Sequence, residues 1–138
     1  MMNYWLVKSE PVTWSWDDQV KKGRTHWDGV RNHQAAIYLK AMQKGDRCFF
    51  YHSGEERQIV GIVEVAKTAY PDPSDAAGKF VMVDVATVMP LKTPVTLAAV
   101  KADSKLNHLA LVKNSRLSVQ PVDAAAWKLI CKLGGVPA

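Results

Sequence analysis

Arg47-Cys48-Phe49-Phe50-Tyr51-His52-Ser53-Gly54-Glu55-Glu56-Arg57-Gln58-Ile59-Val60-Gly61-Ile62-Val63-Glu64-Val65 is two apolar runs divided by a polar turn. Each run is short, rich in aromatic or β-branched residues and bounded by turn formers, which is the pattern of a strand rather than of a helix. The turn at Gly54-Glu55-Glu56 makes the pair a hairpin, so the sheet is antiparallel at its centre. Gly61 interrupts the second run. A glycine inside a strand marks a bulge or a close approach of backbone or ligand.

Outward from this hairpin, Tyr4-Trp5-Leu6-Val7 is another continuous apolar run and reads as a strand buried on both faces. Pro11 cannot donate to a ladder and restricts Glu10, so the strand ends at Lys8-Ser9-Glu10-Pro11. Ser15 caps a short helix through Lys22, stopped by Gly23, with Trp14 and Trp16 packing it onto the sheet. Thr25-His26-Trp27-Asp28-Gly29-Val30-Arg31-Asn32 has neither helical nor strand periodicity and reads as a loop. Gly29 lets it turn tightly and present Trp27 beside polar groups. Trp27 is either a reading surface for a flat polar ring or a plug in the core. Asn32 caps a helix to Met42 with a stripe of Ala35, Leu39 and Met42. Arg31, beside that helix start, is placed to meet an anion.

Past the hairpin, Tyr70-Pro71-Asp72-Pro73 through Gly78 reads as a rigid loop. Phe80 to Met89 is a strand with Val81, Val83 and Val85 toward the core, and Pro90 to Pro94 a connection. Thr96 caps a short helix from Leu97, and Leu106, Leu109 and Leu111 belong to a second helical piece. Lys113-Asn114-Ser115-Arg116 is a basic loop before a strand over Leu117-Pro121. Asp123 caps a last helix with a buried stripe of Trp127, Ile130 and Cys131, ended by Gly134. Residues 1–134 are expected to form one domain, and 135–138 a flexible tail. The order of elements gives an α+β fold with a curved, largely antiparallel sheet of about five or six strands flanked by short helices.

The 138 residues carry a net charge of +5 and are 48% hydrophobic, enough to bury a core and to favour a polyanionic partner, nucleic acid first among them. No apolar run is long enough to span a membrane. The N-terminus lacks a secretory pattern. Cys48 and Cys131 are too few and too separated for a metal motif and fit buried free thiols. A monomer without metal or cofactor is expected, in the cytoplasm, or in the nucleus if the source is eukaryotic.

Several stretches together resemble the EVE domain, a branch of the PUA-like superfamily. They are Tyr4 to Pro11, Trp27-Asp28-Gly29-Val30-Arg31-Asn32, Phe49-Phe50-Tyr51-His52-Ser53, Gly61 to Val65, Tyr70-Pro71-Asp72-Pro73 and Ser115 to Val122. YTH domains, which hold a modified adenine in an aromatic cage, are more distantly similar. The resemblance implies a PUA-like pseudo-barrel with a pocket between the end of the first strand and the loop after the first helix. It implies a module that binds nucleic acid through a modified base, a modified cytosine in DNA being the first expectation and RNA the second. By position, Trp27 would be a cage wall. Ser9, Gly29 and Asn32 would meet the base edge, with Val30, Tyr51 and Ser53 around them.

Phosphate contacts are expected from Lys8, Arg31, Lys113 and Arg116. The competing reading is a hydrolase of modified nucleosides using Lys8, Ser9, Glu10 and His52. Adjacent strand residues point to opposite faces, which sets Lys8 against Ser9 and His52 against Ser53. No enzyme activity is therefore expected.

Overall fold

The computed structural model describes residues 2–138. Six strands form one sheet in the order β2-β5-β4-β3-β1-β6. They are β1 (Tyr4–Ser9), β2 (Arg24–Trp27), β3 (Arg47–His52), β4 (Gln58–Pro71), β5 (Val81–Thr96) and β6 (Val119–Val122). The β1–β3 pair is parallel and every other pair antiparallel. Among the described residues there are also five helices: α1 (Trp16–Lys22), α2 (His33–Ala41), α3 (Leu97–Ala102), α4 (Ala110–Lys113) and α5 (Ala124–Leu133). The caps lie where the side-chain chemistry puts them. Ser15 accepts from the Asp18 N–H while Asp18 returns a bond to the Ser15 N–H, and Asn32, Thr96 and Asp123 cap α2, α3 and α5.

The unbroken apolar runs follow from two cores, one on each face. Trp5 and Val7 join Cys48, Phe50, Val63, Val65, Val83 and Val85 beneath α1 and α2. Leu6 joins Phe49, Tyr51, Ile59 and Ile62 against α5, where Trp127 stacks on Phe49 at 3.9 Å and on Tyr4 at 4.5 Å. Period-two alternation thus feeds both cores, and neither strand face is left to solvent. Both cysteines are buried free thiols, and burial pushes the Cys131 thiol up to about 11 and that of Cys48 higher.

Several boundaries differ from the sequence reading. β4 runs on through Tyr70 and Pro71, Lys113 ends α4 rather than opening a loop, and the last strand is Val119–Val122 rather than Leu117–Pro121. Thr25 to Trp27 is strand, not loop, because β2 pairs with β5 from Arg24↔Ala86 to Trp27↔Val83. A four-residue edge strand has too little length to display a period, and its partner lies far along the chain. Pro90 to Pro94 lies inside β5 rather than joining two elements. It nevertheless leaves the ladder, since pairing jumps from Gly61↔Pro90 to Ile59↔Val95. The freed N–H groups of Lys92 and Thr93 donate to the Gly134 carbonyl at the end of α5. Beyond it, the N–H groups of Gly135 and Val136 donate to Lys132 and Cys131 carbonyls.

Gly61 is both bulge and close approach. The β3–β4 register shifts between Phe50 and Tyr51, which pair with Gly61 and Ile59 and leave Val60 over. The Trp16 ring lies flat over Gly61, so that a Cβ there would fall 2.4–2.6 Å from three ring carbons. Gly61→Ala must push Trp16 and α1 off the sheet. Urea denaturation is expected to show a loss of ~1–3 kcal/mol, the usual cost of overpacking a closed core, and an unchanged midpoint would mean that α1 is not clamped at this point.

Candidate functional site

In a flat sheet of this order β2 and β1 would stand about 19 Å apart. Instead the ends of both strands border one cavity of about 510 Å³, so the sheet is curled into a pseudo-barrel. Lys8, Ser9 and Glu10 come from the end of β1 and Thr13 and Trp14 from the turn before α1. Thr25 to Val30 come from β2 and its following loop, and Ser118 from the approach to β6.

Each wall is held by identifiable bonds. The Ser9 hydroxyl donates to the Trp14 carbonyl at 2.5 Å, and the Ser53 N–H donates to the Ser9 carbonyl at 2.9 Å. Trp14 directs its indole N–H to Gln19 Oε1 at 3.0 Å, which fixes the ring. Trp27 serves as core plug and cavity wall at once. It is 8% exposed, packs nearly perpendicular to Phe50 with ring centroids 5.5 Å apart, and also lines the cavity. Lys8 reaches the Ser115 carbonyl at 2.8 Å, and burial pulls its pKa below the usual lysine value. His26 turns Nδ1 to Tyr70 Oη (3.1 Å) and Asp84 Oδ1 (3.2 Å). Asp84 also accepts from Arg24 and from the Tyr70 hydroxyl; burial and the Asp84 bond push the Tyr70 pKa up to about 12.

The loop after β2 is organised by a residue that the sequence reading treated only as part of a rigid turn. Asp72, between its two prolines, has a fully buried carboxylate. It accepts from the Gly29 N–H (2.9 Å), Arg31 Nη1 (3.2 Å) and both the N–H (2.8 Å) and hydroxyl (2.6 Å) of Ser74. Burial alone would raise this carboxyl. The bonds from Ser74, Gly29 and Arg31 outweigh it and bring the pKa down to about 2. Gly29, at φ 77°, takes the left-handed conformation this contact requires.

Of the residues singled out from sequence, Ser9, Trp27, Gly29, Val30 and Lys8 meet at the cavity. Asn32, Tyr51 and Ser53 do not border it. The Asn32 Oδ1 caps α2, and Tyr51 is buried in the opposite core. The Gly29 N–H is consumed by Asp72 and so is not a free donor to a base edge. Arg31 is committed to Asp72, Ser74 and its own turn rather than left open to an anion. Lys113 and Arg116 are exposed and form no ion pair among the described residues. Lys8 and Ser9 both line the cavity, although they are consecutive residues at the end of β1, paired with Tyr51 and His52 of β3. His52 is buried and accepts the Trp16 N–H through Nε2 at 2.9 Å, with Nδ1 turned to Glu56. Among the described residues no group of His, Cys, Asp or Glu is arranged to hold a metal ion. Trp14, Thr25, His26, Asp72 and Ser118 were missed. Only Asp72 gave a signal, an acid fixed between two prolines.

The EVE domain profile matches residues 3–133. The chain belongs to the EVE domain family. Human thymocyte nuclear protein 1 is 34% identical over 167 aligned residues, covering 96% of this chain and 74% of that protein. Among solved structures, Rpa0253 from Rhodopseudomonas palustris superposes with TM-score 0.92 at 62% identity, covering 97% of this chain and 94% of that one. Human THYN1 protein, solved in complex with 5-methylcytosine containing DNA, superposes with TM-score 0.89 at 32% identity, covering 99% of both chains. The YTH domain of Zygosaccharomyces rouxii MRB1 shares the fold at TM-score 0.59 and 19% identity, covering 99% of this chain and 87% of that one.

The Asp72 knot makes this EVE domain's stability pH-dependent in one direction. Its carboxyl is held below the unfolded value of about 4, so its contribution is complete above that pH and is lost as the pH falls toward 2. Asp72→Asn should be less stable than the parent at neutral pH by ~1–3 kcal/mol, and the gap should close on acidification. A gap that stays constant with pH in acid titrations of thermal stability would show that the carboxylate charge does not hold the loop.

Proposed function

We propose that this EVE domain binds nucleic acid by taking one unstacked, modified base into the cavity between β1 and β2. The observation that carries the reading is the pair of tryptophans, Trp14 and Trp27, lining one cavity with the Ser9 hydroxyl. The volume, about 510 Å³, falls in the range of small-molecule sites. A ring stacked on an indole gains ~1–3 kcal/mol, while extruding a base from a duplex costs a few kcal/mol. Stacking therefore roughly offsets extrusion, and polar contacts must supply the surplus. The Ser9 hydroxyl donates its hydrogen bond to the Trp14 carbonyl, which leaves its Oγ lone pairs to act as an acceptor. The carboxylates of Glu10 and Asp28 add further acceptors. A cytosine ring, with its exocyclic amine donor, suits acceptors of this kind.

A modified cytosine in DNA is the favoured ligand, and the human THYN1 complex with 5-methylcytosine containing DNA supports it. Lys8, Lys113 and Arg116 carry the phosphates. Arg31 acts instead through the Asp72 loop. Binding proceeds without turnover on this reading, since three of the four groups a hydrolase would use, Lys8, Ser9 and His52, are already bonded and only Glu10 is open. The Ser9 hydroxyl hydrogen-bonds the Trp14 carbonyl, Lys8 is bonded to the Ser115 carbonyl, and His52 holds α1.

Titration of matched oligonucleotides, DNA and RNA, differing only in one cytosine modification tests the assignment. The parent should prefer modified DNA. Trp27→Ala and Trp14→Ala should bring the modified-over-plain ratio toward one, and Ser9→Ala should lower it by ~1–3 kcal/mol. Equal affinity for every pair would remove the base from this cavity.

Charge contacts should behave differently, because phosphate binding releases counterions and is blind to sequence. Lys113→Ala or Arg116→Ala should weaken modified and plain ligands by the same factor and flatten the salt slope by about one unit for each lost contact. A changed ratio with an unchanged slope in these variants would place them in base recognition instead.

A further inference from the structure

Val12 is 90% exposed, more than any other large apolar side chain among the described residues. Scattered apolar residues on a surface need no explanation, but the position of this one is particular. Val20, Ile37 and Leu133, the other exposed examples beyond the first residues, lie on α1, α2 and α5, away from the cavity lining. Val12 lies in the turn whose neighbouring residues, Glu10, Thr13 and Trp14, line the cavity.

The turn is rigid. Pro11 fixes one backbone angle. The N–H groups of Thr13 and Trp14 both donate to the Glu10 carbonyl, at 3.0 and 2.8 Å, and the Ser9 hydroxyl ties down the Trp14 carbonyl. A β-branched side chain adds little freedom of its own. The chain therefore holds an apolar side chain out into water at the mouth of a cavity that takes a base, and has already lost the entropy that ordering it would cost on binding.

A base that leaves a duplex for this cavity leaves a gap one base thick, about 3.4 Å along the axis. The gap exposes two apolar base faces, and proteins that kink duplexes insert apolar side chains between base steps. The cations that could seat the flanking backbone are on the same rim, since Lys8 is joined to the 113–116 loop through the Ser115 carbonyl. Glu10 and Asp28 also line the cavity, and their negative charge disfavours phosphate beside them.

We propose that Val12 is an intercalating wedge that enters the duplex stack where the extruded base was, and so makes the domain competent for double-stranded as well as single-stranded ligand. This rests on the base-in-cavity reading above. The test compares parent, Val12→Ser and Val12→Leu on a duplex with one 5-methylcytosine and on the same strand alone, with 2-aminopurine beside the modified base.

Val12→Ser should weaken duplex binding about tenfold, the equivalent of burying one valine side chain, with single-strand affinity kept within about twofold on the same scale. Val12→Leu should restore duplex binding. The parent should brighten the 2-aminopurine on binding duplex, and Val12→Ser should do so less. Thermal unfolding should be unchanged in both variants, since Val12 packs against nothing in the free protein. Duplex binding by Val12→Ser equal to the parent's would overturn the wedge, as would an equal loss on duplex and single strand. If the parent itself shows no preference for the modified base on either ligand, it is the cavity reading that fails, and the wedge falls with it.

Discussion

The contact between the Trp16 ring and the backbone of Gly61 governs how the molecule closes. It is possible only because one position in the central strand has no side chain. Trp16 begins α1, so seating its ring on β4 fixes the start of that helix. The His52 bond to the Trp16 N–H and the Gln19–Thr87 contacts hold the same helix from β3 and β5. With α1 fixed, the turn that precedes it has no freedom left, and Trp14 must stand over the end of β1. The cavity wall is thus a consequence of core packing and is rigid for that reason.

The facing wall is made in another way. The loop after β2 buries little apolar surface beyond Val30, and it is set by the Asp72 carboxylate. A buried carboxylate costs several kcal/mol of desolvation unless its lone pairs are filled. Here four donors fill them, and the depressed pKa is the measure of that satisfaction. One wall of the site therefore depends on apolar packing and the other on a charged knot. The two should respond differently to acid and to salt.

The polar groups at the cavity divide between those already spent and those still open. Ser9 donates inward but can accept outward, Trp14 binds its indole N–H to Gln19, and Lys8 is drawn to a carbonyl. Groups fixed in this manner suit recognition, where pre-organisation limits the entropy lost on binding. They suit acid–base chemistry poorly, since a catalyst needs a proton free to move.

The sequence by itself determined the strand-forming runs, the helix caps at Ser15, Asn32, Thr96 and Asp123, the α+β class and the family resemblance. All of these rest on local chemistry or on short-range periodicity. It also marked Gly61 as special and Trp27 as either wall or plug, although the tryptophan is both. The four-residue β2 was lost because an edge strand is defined by a partner some 60 residues away, Thr25 against Val85 for one. Arg31 and Gly29 looked available because nothing nearby in the chain competes for them, whereas Asp72 reaches them only across the fold. Trp14 gave no local sign of its role, since a tryptophan before a helix cap is as ready to pack as to bind. Lys8 and Ser9 were set on opposite faces by strand alternation, yet at the last two positions of β1 both border the cavity. What a residue is fit to do was written in its chemistry; whether it was free to do it was decided by partners that only the closed structure brings within reach.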